Sequence, residues 1–215
     1  MISYIYTYDL MRIAAVGKLL LATNNPGKIQ EFLEIFSKLE TNFVSPNELG
    51  LNLDVPETGK TYAENASLKA IAFARASGLV SLADDSGLEV EALHNAPGLY
   101  SARYGGPGKT DADRRRKLMQ ELSHTPAPRR ARFVCFLAVA SSNGDVKIFE
   151  GTCEGEIILE ERGVNGFGYD PIFYLPDYQC TMAELPSRVK NQISHRGRAA
   201  QAALPFIKSL QKSDP

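Results

Sequence analysis

The chain has 215 residues, 44% of them hydrophobic and 23% charged, with 24 Lys and Arg against 25 Asp and Glu for a net charge of −1. These values suit one medium-sized globular domain or two joined lobes with a sizeable apolar core, and they exclude a disordered or fibrous chain. The charge balance offers no bulk field to DNA, RNA or an anionic membrane, so any bound anion must be met by local groups.

The opening MISYIYTYDLMRIAAVGK lacks a basic start and carries Asp9 and Arg12. It reads as an N-terminal extension over residues 1–17 rather than a signal peptide, with Met11 as an alternative start. KLLLAT (18–23) is a short apolar strand, and Asn25 caps a helix that begins at Pro26. Ile29, Phe32, Leu33 and Phe36 recur at helical spacing and carry that helix to about Leu39. VSPNELGLNLDVPETG, with two prolines and two glycines, is loop-like. A second helix opens at TYAE, where Thr61 and Glu64 have capping-box spacing, and closes near Gly78. LVSLA and LEVEAL read as two strands on either side of an acidic turn, ADDSG.

DADRRRKLMQELS (111–123) is a polar helix, and its arginines look like a solvated face. The segment from Arg132 to Glu161 reads as three strands, joined by a Ser-Asn-Gly-Asp turn and by Gly151 and Gly155. The apolar run FVCFLAVA (133–140) within it is far short of the roughly 20 residues of a membrane span. A loop-rich stretch from GVNGFGYDP to Pro186 precedes a last helix, SHRGRAAQAALPFIKSL, capped by Ser194. Hairpins in the second half make the fold an α/β protein with a mixed sheet. Cys135, Cys153 and Cys180 form no C-x-x-C pair, which argues against zinc or a disulfide framework and favours a reducing, cytoplasmic setting.

Chemistry concentrates in five stretches. A strand running into a Pro-started helix aims free N–H groups at whatever lies beyond the strand, and Lys28 of TNNPGK adds a full charge. In PETGKTYAENASLKA, Asn65 and Lys69 share one helix face while Glu57 precedes the helix in a loop. Asp84 and Asp85, with Glu57, suit Mg²⁺, although an Asx-turn explains the acid pair equally well in isolation. Successive strand residues face opposite ways, so one of the two acids faces a site squarely. NGFGYDP offers flexible glycines with Phe167 and Tyr169 to stack on a base, and VKNQISHRGRA supplies Lys190, His195 and Arg196.

Taken together and in order, TNNPGK, ETG, ENASLKA, ADDSG, APGLYSARY, GFGYDP and SHRGRA resemble the inosine/xanthosine triphosphate pyrophosphatase family, over nearly the whole chain from Leu19. The resemblance implies an elongated mixed β-sheet flanked by helices, in a single domain (18–215) of two lobes around a nucleotide-binding cleft, usually homodimeric. It implies Mg²⁺-dependent release of pyrophosphate from non-standard purine nucleoside triphosphates such as ITP, dITP and XTP. Thr23, Asn24, Asn25, Pro26, Gly27 and Lys28 would hold the phosphates with help from Lys69, and Ser86 would touch the substrate. Glu57 and Asp85 would bind the metal, with Asp85 also the proton acceptor and Asp84 a possible further ligand. Phe167, Gly168, Tyr169, Asp170, Lys190, His195 and Arg196 would enclose purine and sugar.

Overall fold

The computed structural model of the protein describes residues 17–211. The alternative start at Met11 and all but the last residue of the expected extension lie outside that range. Strands Lys18–Leu21 (β1), Asn42–Val44 (β2), Val80–Val90 (β3), Arg130–Ala140 (β4), Val146–Ile157 (β5), Phe173–Leu175 (β6) and Cys180–Thr181 (β7) form one sheet. Their order is β2-β1-β3-β4-β5-β6-β7. β1 runs parallel to β2 and to β3, while the remaining pairs are antiparallel, so β3 is where the sheet changes from one mode to the other.

Helices Pro26–Ile35 (α1), Tyr62–Ser77 (α2), Asp111–Glu121 (α3), Ser187–Ile193 (α4) and His195–Gln211 (α5) cover the sheet. The caps expected for the first two are in place. Asn25 Oδ1 accepts from Lys28 N at 3.2 Å, Thr61 Oγ1 accepts from Glu64 N at 3.1 Å, and Gly78 closes α2 at φ 71°. The Glu64 carboxylate accepts from Lys60 N rather than completing the box at Thr61. α1 stops at Ile35 with Phe36 as its cap, short of the expected Leu39. Ser194 opens α5 as expected, its Oγ accepting from Gly197 N at 3.1 Å.

Alternation along the strands sorts the apolar residues by face. Leu19, Leu21, Leu82, Leu137 and Val139 pack with Phe32 and Phe36 of α1 and with Ala199, Ala203 and Ile207 of α5. Leu20, Ala83, Ala138 and Ala140 pack on the opposite face against Ala66, Ala70 and Phe73 of α2. A separate cluster joins Leu88, Val90, Phe133 and Ile157 to Leu118 of α3 and to Phe173 and Met182, so the sheet carries two lobes.

Two expectations about the strands are corrected. The acidic turn does not exist: β3 is one strand of 11 residues, and Asp84 and Asp85 pair across to Leu137 and Phe136 of β4. Gly151 and Gly155 likewise lie inside β5, a single strand of 12 residues rather than two. Each glycine sits where a neighbour leaves no space for a side chain. A Cβ on Gly151 would meet His195 O at 2.2 Å and Ala199 N at 2.4 Å, and one on Gly155 would meet Tyr174 O at 2.6 Å.

Strand lengths also place the cleft. β1 is paired to β3 only as far as Leu21 opposite Leu82. Beyond that point β3 continues with β4 on one side and no strand on the other, apart from an isolated bridge between Glu89 and Pro97. The edge of β3 from Asp84 to Leu88 therefore forms the floor of a gap between the lobes.

Candidate active site

That gap is a cleft of about 290 Å³ whose floor includes Asp85, Ser86, Gly87 and Leu88. Asn25, Lys28 and Glu57 contribute to its walls, as do Phe167, Asp170, Lys190, His195 and Arg196. Of the phosphate-binding stretch expected at TNNPGK, Asn25 and Lys28 reach the wall, whereas Thr23, Asn24, Pro26 and Gly27 build the turn that carries them. Thr23 Oγ1 accepts from Asn25 N at 3.2 Å. Gly27 lets Phe167 lie against α1, since a Cβ there would fall 2.6 Å from the ring.

Alternation puts the paired acids on different faces. Asp84 points to the α1/α5 side, where its Oδ1 lies 2.9 Å from Lys28 Nζ and its Oδ2 accepts from Arg196 Nη2 at 3.0 Å. Burial opposes its ionisation, but Lys28 and Arg196 outweigh that and hold the carboxyl far below the usual carboxylate range. Asp84 is thereby engaged by protein cations, which leaves it poorly suited to serve a metal.

Asp85 points to the α2 side, where Asn65 Nδ2 donates to Oδ2 at 3.1 Å and Lys69 Nζ lies 3.4 Å from Oδ1. Here burial prevails over Lys69, and with the negative charge of Glu57 nearby it moves the carboxyl above its ordinary value. Lys69 does not line the cleft itself; its Nζ lies between two lining carboxylates, Asp85 and Glu57, whose Oε1 is 3.0 Å away. Burial works against the lysine's charge too, but Asp85, Asp84 and Glu57 outweigh it and hold its pKa above the usual lysine value. Arg103 Nη1 donates to the other oxygen of Glu57 at 2.8 Å.

Part of the cleft wall is a buried charge network. Lys190 Nζ lies 2.6 Å from Glu31 Oε1 and also donates to Asp170 Oδ2. The same Asp170 oxygen accepts from Phe167 N at 2.9 Å. Gly166, at φ 75°, makes this closeness possible, because a Cβ would sit 2.1 Å from Asp170 Oδ2. Arg196 donates from Nη1 to Glu31 Oε2 at 2.6 Å and from Nη2 to Ser86 Oγ at 3.0 Å, with its guanidinium over Phe32 and Phe167. His195 stacks on Phe133 with centroids 4.6 Å apart, and burial together with Arg196 and Lys190 depresses its pKa well below the histidine value, so the ring is neutral at pH 7. Gly168 N donates to Asp111 Oδ2 at 2.9 Å, and Tyr169 donates its hydroxyl hydrogen to Ser101 O at 3.0 Å. Tyr169 is thus a buried wall residue rather than a free stacking ring.

Sequence reasoning passed over Glu31, which neutralises Lys190 and Arg196 together. The spacing of Ile29, Phe32, Leu33 and Phe36 gave no signal for it, since Glu31 falls off that apolar stripe. It also gave no role to Asn65, Arg103, Asp111 or Arg114, the last two of which reach the cleft from α3. Among the described residues no three His, Cys, Asp or Glu side chains gather as a self-sufficient metal cage. Glu57 and Asp85 are two hard carboxylates sharing Lys69, a donor set that fits Mg²⁺, which takes one or two protein carboxylates and completes its shell with phosphate oxygens and water.

Residues 19–206 match the Ham1 family. A dITP/XTP pyrophosphatase of Desulforamulus reducens is 47% identical over 194 residues, spanning 90% of this chain and 96% of its own. Two solved structures share the fold at substantial identity. A HAM1 protein from Coxiella burnetii is 43% identical with a TM-score of 0.81, and the Staphylococcus aureus Ham1 protein is 45% identical with a TM-score of 0.79. In both comparisons 89% of this chain and 98% of the other are covered.

Proposed function

The chain belongs to the Ham1 family, and from that premise we propose that it is a Mg²⁺-dependent pyrophosphatase of non-standard purine nucleoside triphosphates, ITP, dITP and XTP. The observation that carries the proposal is the difference between two adjacent acids. Asp84 is neutralised by Lys28 and Arg196, while Asp85, with its pKa raised, faces the cleft beside Lys69 and Glu57. A carboxylate moved toward neutrality by burial is suited to accept a proton.

In this reading the triphosphate lies along Asn25, Lys28 and Glu57. Asp85 takes a proton from a water molecule, whose oxygen bonds to the α-phosphorus while the bond from that phosphorus to the bridging α–β oxygen breaks. The products are a nucleoside monophosphate and pyrophosphate. Mg²⁺ held by Glu57 and Asp85 supplies charge neutralisation for the polyphosphate. Lys28 and Lys69 add to that neutralisation from the protein, which matters because a general base alone supplies only about 10² to 10⁴-fold.

Phe167 offers a face for the purine, and Lys190, Arg196 and neighbouring backbone N–H groups offer donors to its edge. A site of donors accepts an oxo group and leaves donor facing donor against the adenine amine, a mismatch that can reach about 10⁴-fold. The domain is read as single and two-lobed over 18–215, homodimeric and cytoplasmic. Among the described residues no helix is long and apolar enough to cross a membrane.

The test is a chromatogram of products from a nucleotide panel that includes modified pyrimidines. Pyrophosphate and monophosphate should appear from ITP, dITP and XTP with Mg²⁺, and only slowly from ATP. Orthophosphate as first product, or equal turnover of ATP, would defeat the reading.

A further inference from the structure

The carboxylates around the cleft, Glu31, Glu57, Asp84, Asp85, Asp111 and Asp170, are matched in number by Lys28, Lys69, Lys190, Arg103, Arg114 and Arg196. The ring is neutral as it stands. A triphosphate brings about four negative charges, and one divalent cation cancels only half of them. The remainder must be met by protein cations able to leave their present partners.

Exposure separates the candidates. The side chains of Arg196 and Lys190 are 2% and 5% exposed and each bridges two carboxylates, so moving either would strand buried charge. Lys28 and Lys69 are 17% and 16% exposed, and Arg114, held by Asp111, is 20% exposed. Arg103 is the most exposed of these cations at 47% and holds one oxygen of Glu57, which lines the cleft.

We propose that Arg103 is a ligand of the polyphosphate tail, reaching it from the lobe opposite α1. The inference rests on the pyrophosphatase reading above. Its backbone is fixed for the purpose. Arg103 ends the short 3₁₀ helix Gly98–Arg103, in which Ser101 Oγ accepts from Leu88 N at 2.9 Å and Ser101 O accepts from Tyr169 at 3.0 Å. The segment is thus tied to β3 and to the glycine loop, while the long side chain stands half-exposed with Glu57 as its ionic partner. The Tyr100 ring, 5.2 Å from the guanidinium carbon, gives that chain a face to lean on. The fork of a guanidinium suits a phosphate as well as it suits Glu57. Glu57 is also the carboxylate assigned to the divalent cation, and any share the cation takes is donor capacity released on Arg103.

The rival role is structural, in which Arg103 only braces the Glu57 loop. Inorganic tripolyphosphate separates the two. Its binding to the full chain is measured by calorimetry in EDTA at low, fixed ionic strength, with a purine nucleoside monophosphate as the control ligand. Arg103→Ala should weaken tripolyphosphate about tenfold and leave the monophosphate within about twofold, with Arg103→Lys in between. Unchanged tripolyphosphate affinity in Arg103→Ala, or no tripolyphosphate binding by the unaltered protein, overturns the proposal. Equal loss for both ligands overturns it as well, since that is the mark of a disturbed loop. The product chromatogram uses unaltered protein and different ligands, so failure of the pyrophosphatase reading shows there and failure of Arg103 shows here.

Discussion

The two faces of β3 impose opposite conditions on the same chemical group. On the α1/α5 face Asp84 is closed in by Lys28 and Arg196 and stays ionised. One residue later, on the α2 face, Asp85 has one lysine shared with Glu57 and a neutral amide, and its charge is disfavoured. Burial acts on both, so the partners decide. The comparison teaches that the same side chain can serve as a tie for the fold or as a reagent, according to how completely its charge is answered.

The strongest way to break that comparison is Asp85→Asn. The change removes the proton acceptor and a proposed metal ligand, so kcat should fall by about 10³-fold or more while substrate still binds. The unfolding free energy should change by no more than about 1 kcal/mol, because the amide escapes the cost of a buried anion. Near-normal turnover would remove Asp85 from its role. Asp84→Asn should show the reverse emphasis. Lys28 and Arg196 would lose a buried partner, and breaking a pair of this kind costs about 3–5 kcal/mol, readable from urea unfolding. A loss below about 1 kcal/mol would mean that the pairs contribute little to folding.

A finer contrast lies in pH dependence. The Asp84 carboxyl is depressed in the fold, so its contribution is present above the unfolded value near 3.8 and is lost as pH falls through the lower folded value. The Asp85 carboxyl is raised, so the sign reverses: its contribution is complete below about 3.8 and is lost as pH rises through the raised value. The stability gap between the unaltered protein and Asp84→Asn should therefore hold from neutral pH down to about 4 and close below it. The corresponding difference for Asp85→Asn should move in favour of the variant as pH climbs above about 4. Unfolding curves for all three proteins over this range would show it, and slopes of the same sign would contradict the assignment.

Much of this site was legible in the sequence because it is written locally. Asn25 and Thr61 announce their helices through spacing alone, and the motifs carrying Glu57, Lys69, Asp85, Asp170 and Arg196 each hold their chemistry within a few residues. The misread parts depend on neighbours far along the chain. DDSG and the glycines of β5 look like turns because Asp, Ser and Gly mark turns in isolation. In a central strand, the helix over Gly151 and the cations around Asp84 override that preference. Glu31 escaped notice for the same reason, since its partners Lys190 and Arg196 lie more than 150 residues away. Arg103 stood inside a recognised motif, but only the folded chain brings it to Glu57.

The early end of β1 has a consequence for what the protein can hold. Each further rung zipped between β1 and β3 would shorten the open edge by about 3.3 Å. The longest ligand that fits is therefore dictated by the mismatch between a strand of four residues and one of eleven. Lengthening the shorter strand would shrink the guest list before any side chain in the pocket had changed.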